Sequence, residues 1–341
     1  MGTIAINGLG RIGRTFLRVA LRDALFLKQF PLVAINIGPA CKETLPSLLS
    51  YDTIMGPLAM KVSLKGDQLS IGDHHIAIYQ ECDARQLPWK KHGITWVVEA
   101  SGHYTRRELA VYHQEAGAQR VLITAPAENE DSTIILGVNE TSYVHETHRI
   151  VSLGSCTTNA LLPLLKIVDN SLGIEYGFMT TIHAYTNSQA LLDGNHQDAR
   201  KARAAALNVI PTSTGVGLVL GKVMPHLKDR VTTQAVRVPV PNGSLLGLSF
   251  VAKKDITRDV LHEVCLHAAH SSMKGIVSVS SEMKVSTDYY GDPHSVILDT
   301  TLTQIAERRA GVLYGWYDNE WGYSSRIKDF LMKSSHFIAS Q

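Results

Sequence analysis

The sequence predicts a mixed α/β chain, a doubly wound parallel sheet followed by a second, α+β domain on a mainly antiparallel sheet. Three observations carry this. Short, continuously apolar runs alternate with helical patterns through the first 150 residues, as in a parallel sheet covered on both faces. The first run leads straight into a glycine-rich turn. Beyond residue 156 the strands lengthen and fewer helices interrupt them, the texture of an antiparallel sheet with helices on one side.

In order along the chain, TIAIN (3–7) is the first strand, and a helical stretch runs from Arg11 to about Leu27. LVAIN (32–36), TWVVEA (95–100), RVLIT (120–124) and RIVSL (149–153) supply further strands of the first sheet. The segment after Cys156 is apolar on nearly every side, which predicts a helix buried all round. Residues 177–185, 231–240, 245–253 and 312–317 read as strands of the second sheet, interrupted by a helix over 257–269. Between Asn187 and Arg230 lies a polar, Gly-rich segment of weak periodicity, too long for a connector and therefore functional or an interface. An amphipathic stretch from Tyr323 to about Met332 closes the chain as a helix. The expected division is 1–155, 156–319 and a closing segment 320–341 that packs back on the first domain.

Composition narrows the function classes. The chain has 341 residues, 45% of them hydrophobic and 19% charged, enough apolar material for two cores. A net charge of +2, from 33 basic and 31 acidic residues well mixed, provides no field to steer it toward nucleic acid or anionic lipid. Cys41, Cys82, Cys156 and Cys265 lie far apart with no CxxC spacing, which argues against a disulfide framework or a structural metal and for a reducing compartment. The N-terminus begins a strand at once, without signal-peptide regions, and no apolar run approaches the length of a membrane span. A cytoplasmic protein is the expectation.

Gly8-Leu9-Gly10-Arg11-Ile12-Gly13 is a G-x-G-x-x-G between a strand and a helix. Glycines there permit the tight turn, let backbone approach a pyrophosphate and let the helix pack on the strand, while the helix N-terminus faces the phosphates. A dinucleotide-binding, Rossmann-type first domain follows. The acidic residue that normally bonds the adenosine ribose about twenty positions onward is missing, because Leu32–Asn36 is followed by Ile37. The cofactor is therefore NAD or NADP, and both are expected to be used.

Cys156 stands among hydroxyls and an amide in SLGSCTTN, ahead of the buried helix. A cysteine is ordinarily a small buried hydrophobe, but at a helix N-terminus the unpaired N–H groups favour an anion, so this thiol is expected to be activated as a thiolate.

Together, INGLGRIGR (6–14), SCTTN (155–159), TTIHAYT (180–186), RAAALNVIPTSTG (203–215), RVPVP (237–241) and WYDNEWGY (316–323) resemble the phosphorylating glyceraldehyde-3-phosphate dehydrogenases, in order and over the whole chain. The resemblance implies that Cys156 attacks the substrate aldehyde, hydride passes to the nicotinamide, and inorganic phosphate releases the thioester as an acyl phosphate. It makes His183 the base, meeting the helix N-terminus across the domain junction. Thr186 and Arg237 would hold the substrate's C3 phosphate, and Ser155, Thr157, Arg200, Thr214 and Gly215 the attacking phosphate. Asn319 would bond the nicotinamide carboxamide, with Ser101, Gly102 and Thr124 lining the cofactor cleft. A homotetramer is also implied, with 187–210 at an interface, as is a place in triose-phosphate metabolism in the glycolytic or gluconeogenic direction.

The chain departs from the family pattern at one end of one ligand. Besides Ile37, Cys82 replaces an arginine near the adenosine, and Gly194-Asn195 replaces a bulkier Leu-Pro pair that reaches the ribose. Lys42 and Arg85 are the nearby candidates for a 2′-phosphate. An erythrose-4-phosphate dehydrogenase is the rival within the class; Tyr185-Thr186 and Thr214-Gly215, which such relatives tend to lose, favour the triose enzyme. A catalytically silent nucleotide-binding regulator or adhesion protein is the rival outside it, and retention of both Cys156 and His183 argues against that.

Overall fold

The computed structural model describes residues 2–339, with side chains through Ser334. The chain divides into two units. Among the described residues the first holds 2–134, 141–154 and 324–339, and the second holds 135–140 and 155–323. Residues 340 and 341 of the closing segment lie outside the described residues.

The sheet of the first unit comprises β1 (Thr3–Asn7), β2 (Leu32–Asn36), β3 (Val62–Lys65), β4 (Gln68–Ile71), β5 (His74–Tyr79), β6 (Ile94–Glu99), β7 (Arg120–Ile123), β8 (Ser132–Thr133) and β9 (Ile150–Ser152). Their order is β3-β4-β5-β2-β1-β6-β7-β9-β8. β1 is paired in parallel with both β2 and β6, so the chain reverses its direction of winding there, and the crevice beyond the ends of these strands is where such sheets bind ligands. β1, β2, β6 and β7 are almost wholly buried, which explains their continuous apolar runs.

Two features differ from the expectation. The helical stretch 11–27 is two helices, α1 (Arg11–Leu21) and α2 (Ala24–Gln29), because the Asp23 carboxylate accepts a hydrogen bond from Phe26 N–H and starts a new helix. The sheet also carries an antiparallel meander, β3-β4-β5, at its edge. Its turns use Gly66 and Gly72 at φ +60° and +57°, a conformation that favours glycine. Helices α3 (Leu45–Ser50), α4 (Trp89–His92) and α5 (Arg107–Glu115) complete the crossovers.

The second unit is built on β10 (Ile174–Ala184), β11 (Ile210–Thr212), β12 (Val231–Val238), β13 (Ser244–Ala252), β14 (Val277–Ser280), β15 (Val296–Ala306) and β16 (Ala310–Tyr317). The order is β11-β12-β10-β13-β16-β15-β14, antiparallel except for the β10–β12 and β14–β15 pairs. Helices α6 (Cys156–Leu172), α7 (Val216–Val223) and α8 (Arg258–His270) pack on this sheet. β10 alternates buried and exposed residues along most of its length, as a strand covered on one face should. The last helix, α9 (Trp321–Ala339), belongs to the first unit from Ser324 onward, where Phe330 packs edge-on against Trp96 and Tyr143 and Lys328 bonds Asp23 at 2.8 Å.

Candidate active site

α6 begins at Cys156 because Ser155 caps it. The Ser155 hydroxyl accepts from Thr158 N–H, and the Thr158 hydroxyl accepts from Ser155 N–H at 2.7 Å, a reciprocal capping box. Cys156 is thus the first helical residue. Its sulfur lies 3.4 Å from Nε2 of His183, on β10. Both residues belong to the second unit, so the pair is assembled within one unit and not, as the sequence suggested, across a junction.

Arg237 is the register partner of His183 on β12. Its Nη1 donates to Ala184 O at 2.9 Å and lies 2.5 Å from His183 Nδ1. His183 Nδ1 is also 2.7 Å from Ala184 O; that carbonyl calls for a proton on Nδ1, which turns the Nε2 lone pair to the thiol, whereas the Arg237 guanidinium, which can only donate, calls for the opposite tautomer. Burial and then the Arg237 guanidinium push the imidazole down to about 3. Burial likewise pushes the Cys156 thiol up, a shift opposed by Arg237. Burial thus works against a charge on either group, while the helix end and Arg237 favour the sulfur anion.

Tyr317 closes the back of the pair. Its hydroxyl bonds Thr181 Oγ1 at 2.7 Å and Thr157 Oγ1 at 3.1 Å, and its ring stands edge-on to His183 at 5.9 Å. The Thr157 hydroxyl therefore faces the interior, which leaves its backbone N–H at the helix end as the donor toward an anion. Sequence reasoning missed Tyr317 although it lies within WYDNEWGY. Its register opposite Ser244 on β13 gave no signal along the chain.

The remaining anion-site candidates are only partly gathered. Thr186 follows β10, with its hydroxyl 3.0 Å from that of Ser188. Gly215 caps α7, and Thr214 Oγ1 accepts from Val216 N–H at 3.4 Å. Arg200 is exposed and lines a separate cavity of about 590 Å³ with Thr212, Ser213 and Gln234. The buried Thr212 hydroxyl has no hydrogen-bond partner. Asn319 is buried, and its Oδ1 accepts from the Ser244 hydroxyl at 2.8 Å. Gly194 and Asn195 are exposed in the segment between β10 and β11.

In the first unit a cleft of about 580 Å³ opens at the ends of β1, β2 and β6, lined by Gly8, Gly10, Ile37, Cys82, Ser101 and their neighbours. Its geometry fits a dinucleotide. A Cβ at Gly8, where φ is +92°, would meet Ser101 backbone at 2.5 Å, and one at Gly13 would meet Gly8 O at 2.1 Å. At Gly10 nothing stands within 4 Å, which leaves the turn open to a phosphate. α1 has no side-chain cap and no acidic residue in its first turn, so its N-terminal N–H groups remain available to an anion. Ile12 lies within that first turn.

Other candidates frame the cleft without lining it. Arg11 bonds Asp52 at 2.6 Å, Gly102 takes φ +77°, and Thr124 N–H and hydroxyl both donate to Glu99 O. Lys42 pairs with Asp67, and Arg85 pairs with Asp83 at 2.7 Å while stacking on Tyr112. Neither lines the cleft, so the cations nominated for a 2′-phosphate are engaged elsewhere.

A dinucleotide cleft in one unit and a thiol–imidazole pair at a helix end in the other are the parts of a thiol-dependent oxidoreductase. Comparison with known proteins narrows this class. Residues 2–107 match the family model of the glyceraldehyde 3-phosphate dehydrogenase NAD binding domain, and residues 155–319 match that of the C-terminal domain. Glyceraldehyde-3-phosphate dehydrogenase 2 of Bacillus subtilis is 45% identical over 96% of this chain and 95% of its own length. The enzymes of Kitasatospora aureofaciens and Geobacillus stearothermophilus are 44% and 41% identical, over 97% and 99% of this chain and 98% of their own lengths. The chain belongs to the glyceraldehyde-3-phosphate dehydrogenase family.

Proposed function

We propose that this chain oxidises D-glyceraldehyde 3-phosphate, with inorganic phosphate and NAD(P)+, to 1,3-bisphosphoglycerate and NAD(P)H through a cysteine thioester. The observation that carries this is the 3.4 Å contact between Cys156 Sγ and His183 Nε2 at the N-terminus of α6. His183 takes the thiol proton as sulfur bonds the aldehyde carbon, and the carbonyl oxygen collects that proton to give a hemithioacetal. Bound NAD(P)+ supplies the hydride acceptor. Nε2 accepts the hydroxyl proton as the carbon is oxidised to the thioester level. Phosphate then attacks the carbonyl, the C–S bond breaks, and sulfur recovers its proton from His183. Backbone N–H groups at the start of α6 serve the charge that develops on oxygen in the two addition steps.

In this reading the first unit holds the dinucleotide at Gly8–Gly13 and Ser101, and the second carries the chemistry. Arg237 and Thr186 hold the substrate phosphate, Ser155, Thr157, Arg200, Thr214 and Gly215 serve the attacking phosphate, and Asn319 orients the nicotinamide amide. A homotetramer is proposed too, supported by the exposed apolar side chains Leu191, Leu192, Leu207, Val209 and Leu218. Four unpaired cysteines support a cytoplasmic location, and no helix among the described residues is long and apolar enough to cross a membrane.

The test is absorbance growth at 340 nm with the triose and tetrose phosphates, each with either cofactor, with and without inorganic phosphate. Phosphate-dependent reduction that favours the triose supports the proposal. Turnover that ignores phosphate, or that favours the tetrose, overturns it.

A further inference from the structure

Glu99 ends β6 beneath the cleft and is buried, as are His113 on α5 and Trp89 on α4. Its carboxylate receives four donors. Ser101 N–H and hydroxyl reach Oε1 at 2.7 and 2.5 Å, and Asn7 Nδ2 and His113 Nε2 reach Oε2 at 2.5 and 3.0 Å. An indole N–H can only donate, and that of Trp89 lies 3.1 Å from His113 Nδ1. Nδ1 is therefore the acceptor, and the ring turns its Nε2–H on Glu99. The bonding continues outward. Asn36 Nδ2 donates to Asn7 Oδ1 at 2.7 Å and to Glu81 O at 2.9 Å, while Asn36 Oδ1 accepts from Glu81 N–H at 2.9 Å. One buried carboxylate thus ties together the turn after β1, the loop after β2, the loop at Glu81 and the turn at Ser101, all of which line the cleft.

We propose that Glu99 is a positioning residue for the dinucleotide: its four hydrogen bonds hold the cleft's loops in the binding arrangement before the ligand arrives. This rests on reading the cleft as the dinucleotide site. An isosteric amide cannot replace the carboxylate. Glutamine offers one acceptor oxygen and one NH2: one orientation sets that NH2 against both Asn7 Nδ2 and His113 Nε2–H, the other sets it against Ser101 N–H, where only the Ser101 hydroxyl can turn to accept, and His113 cannot switch tautomer without presenting a second N–H to the Trp89 indole. The mismatch is relieved by moving Ser101 or Asn7 away, after which binding must re-order the loops.

The test is calorimetric titration of the full-length chain with NAD+ and NADP+, alongside steady-state kinetics. Glu99→Gln should raise the dinucleotide Kd and KM about tenfold or more while kcat at saturating cofactor and KM for the triose phosphate stay within about twofold, the split expected of lost binding order rather than lost chemistry. Alkylation of Cys156 by iodoacetamide, read without cofactor, should be unchanged. Should Glu99→Gln fail to fold, Asn36→Ser cuts the same chain one link outward and carries the same expectation. Dinucleotide affinity within about twofold of the parent in the folded variants overturns the proposal. A parent protein that binds neither dinucleotide fails at the prior step, overturning the reading of the cleft and this proposal with it.

Discussion

Burial works against a standing charge on Cys156 and on His183, so the sulfur is expected to become a nucleophile as His183 removes its proton during attack. Cys156→Ser should fold and bind dinucleotide yet lose nearly all turnover. In His183→Asn, iodoacetamide should modify Cys156 about a hundredfold more slowly or worse at pH 7, the scale of general-base assistance; equal rates in the two proteins would contradict this. The same burial makes a stability prediction. His183 ordinarily titrates near 6.5 and is held to about 3 in the fold, so between those values the unfolded chain binds a proton that the folded chain refuses. Stability therefore rises with pH through that window, and its loss begins as pH falls below 6.5. Denaturant unfolding of the parent and His183→Asn at pH 7.5 and pH 4.5 should show the variant losing about 2 kcal/mol less over that interval. An equal loss would mean that His183 is not the neutral buried group described.

Among the elements, those with apolar continuity or a capping pattern were legible in the sequence. β1 and β2 fall on the predicted residues, and α6 starts where Ser155 and Thr158 form their box. The meander β3–β5 was missed because its strands are short and only alternately buried; its signal was the paired Gly-Asp steps at 66–67 and 72–73. Asp23 hid a helix break inside an apolar stretch because a side-chain cap costs no change of composition. The glycine turn gives a prediction at this scale. Gly13→Ala places a Cβ against Gly8 O and should abolish dinucleotide binding by displacing α1, with a fall in thermal midpoint. Gly10→Ala has open space and should keep its midpoint while weakening dinucleotide binding, because the methyl stands where phosphate approaches. If both variants keep the parent's affinity on titration, the turn is not the phosphate cradle.

At the scale of the whole molecule, the candidate site was legible where residue type and order carry the chemistry, as for Cys156, His183 and Arg237. It was not legible where contacts come from register, as for Tyr317, or from a buried network across four loops, as for Glu99. The cofactor follows the same division. Ile37 removes from the end of β2 the carboxylate that would favour NAD, and among the described residues no Lys or Arg lines the cleft to hold a 2′-phosphate, although the acidic Glu81 is among its lining residues. NADP should be used within about tenfold of NAD, a difference near 1.4 kcal/mol in transition-state stabilisation. Ile37→Asp should push the ratio strongly toward NAD by accepting from the ribose hydroxyls and repelling a 2′-phosphate. A thousandfold preference for NAD in the parent, in paired kcat/KM measurements, would place selectivity in other residues.

In the proposed reaction Cys156 carries the acyl group and phosphate removes it. Intact-protein and peptide mass spectrometry of the chain, incubated with triose phosphate and NAD(P)+ in phosphate-free buffer, measures this most directly. The expected result is one acyl group per chain on the Cys156 peptide, absent in Cys156→Ser and discharged on addition of inorganic phosphate much faster than in water. No acyl adduct, an adduct on another residue, or discharge that phosphate does not accelerate would contradict it.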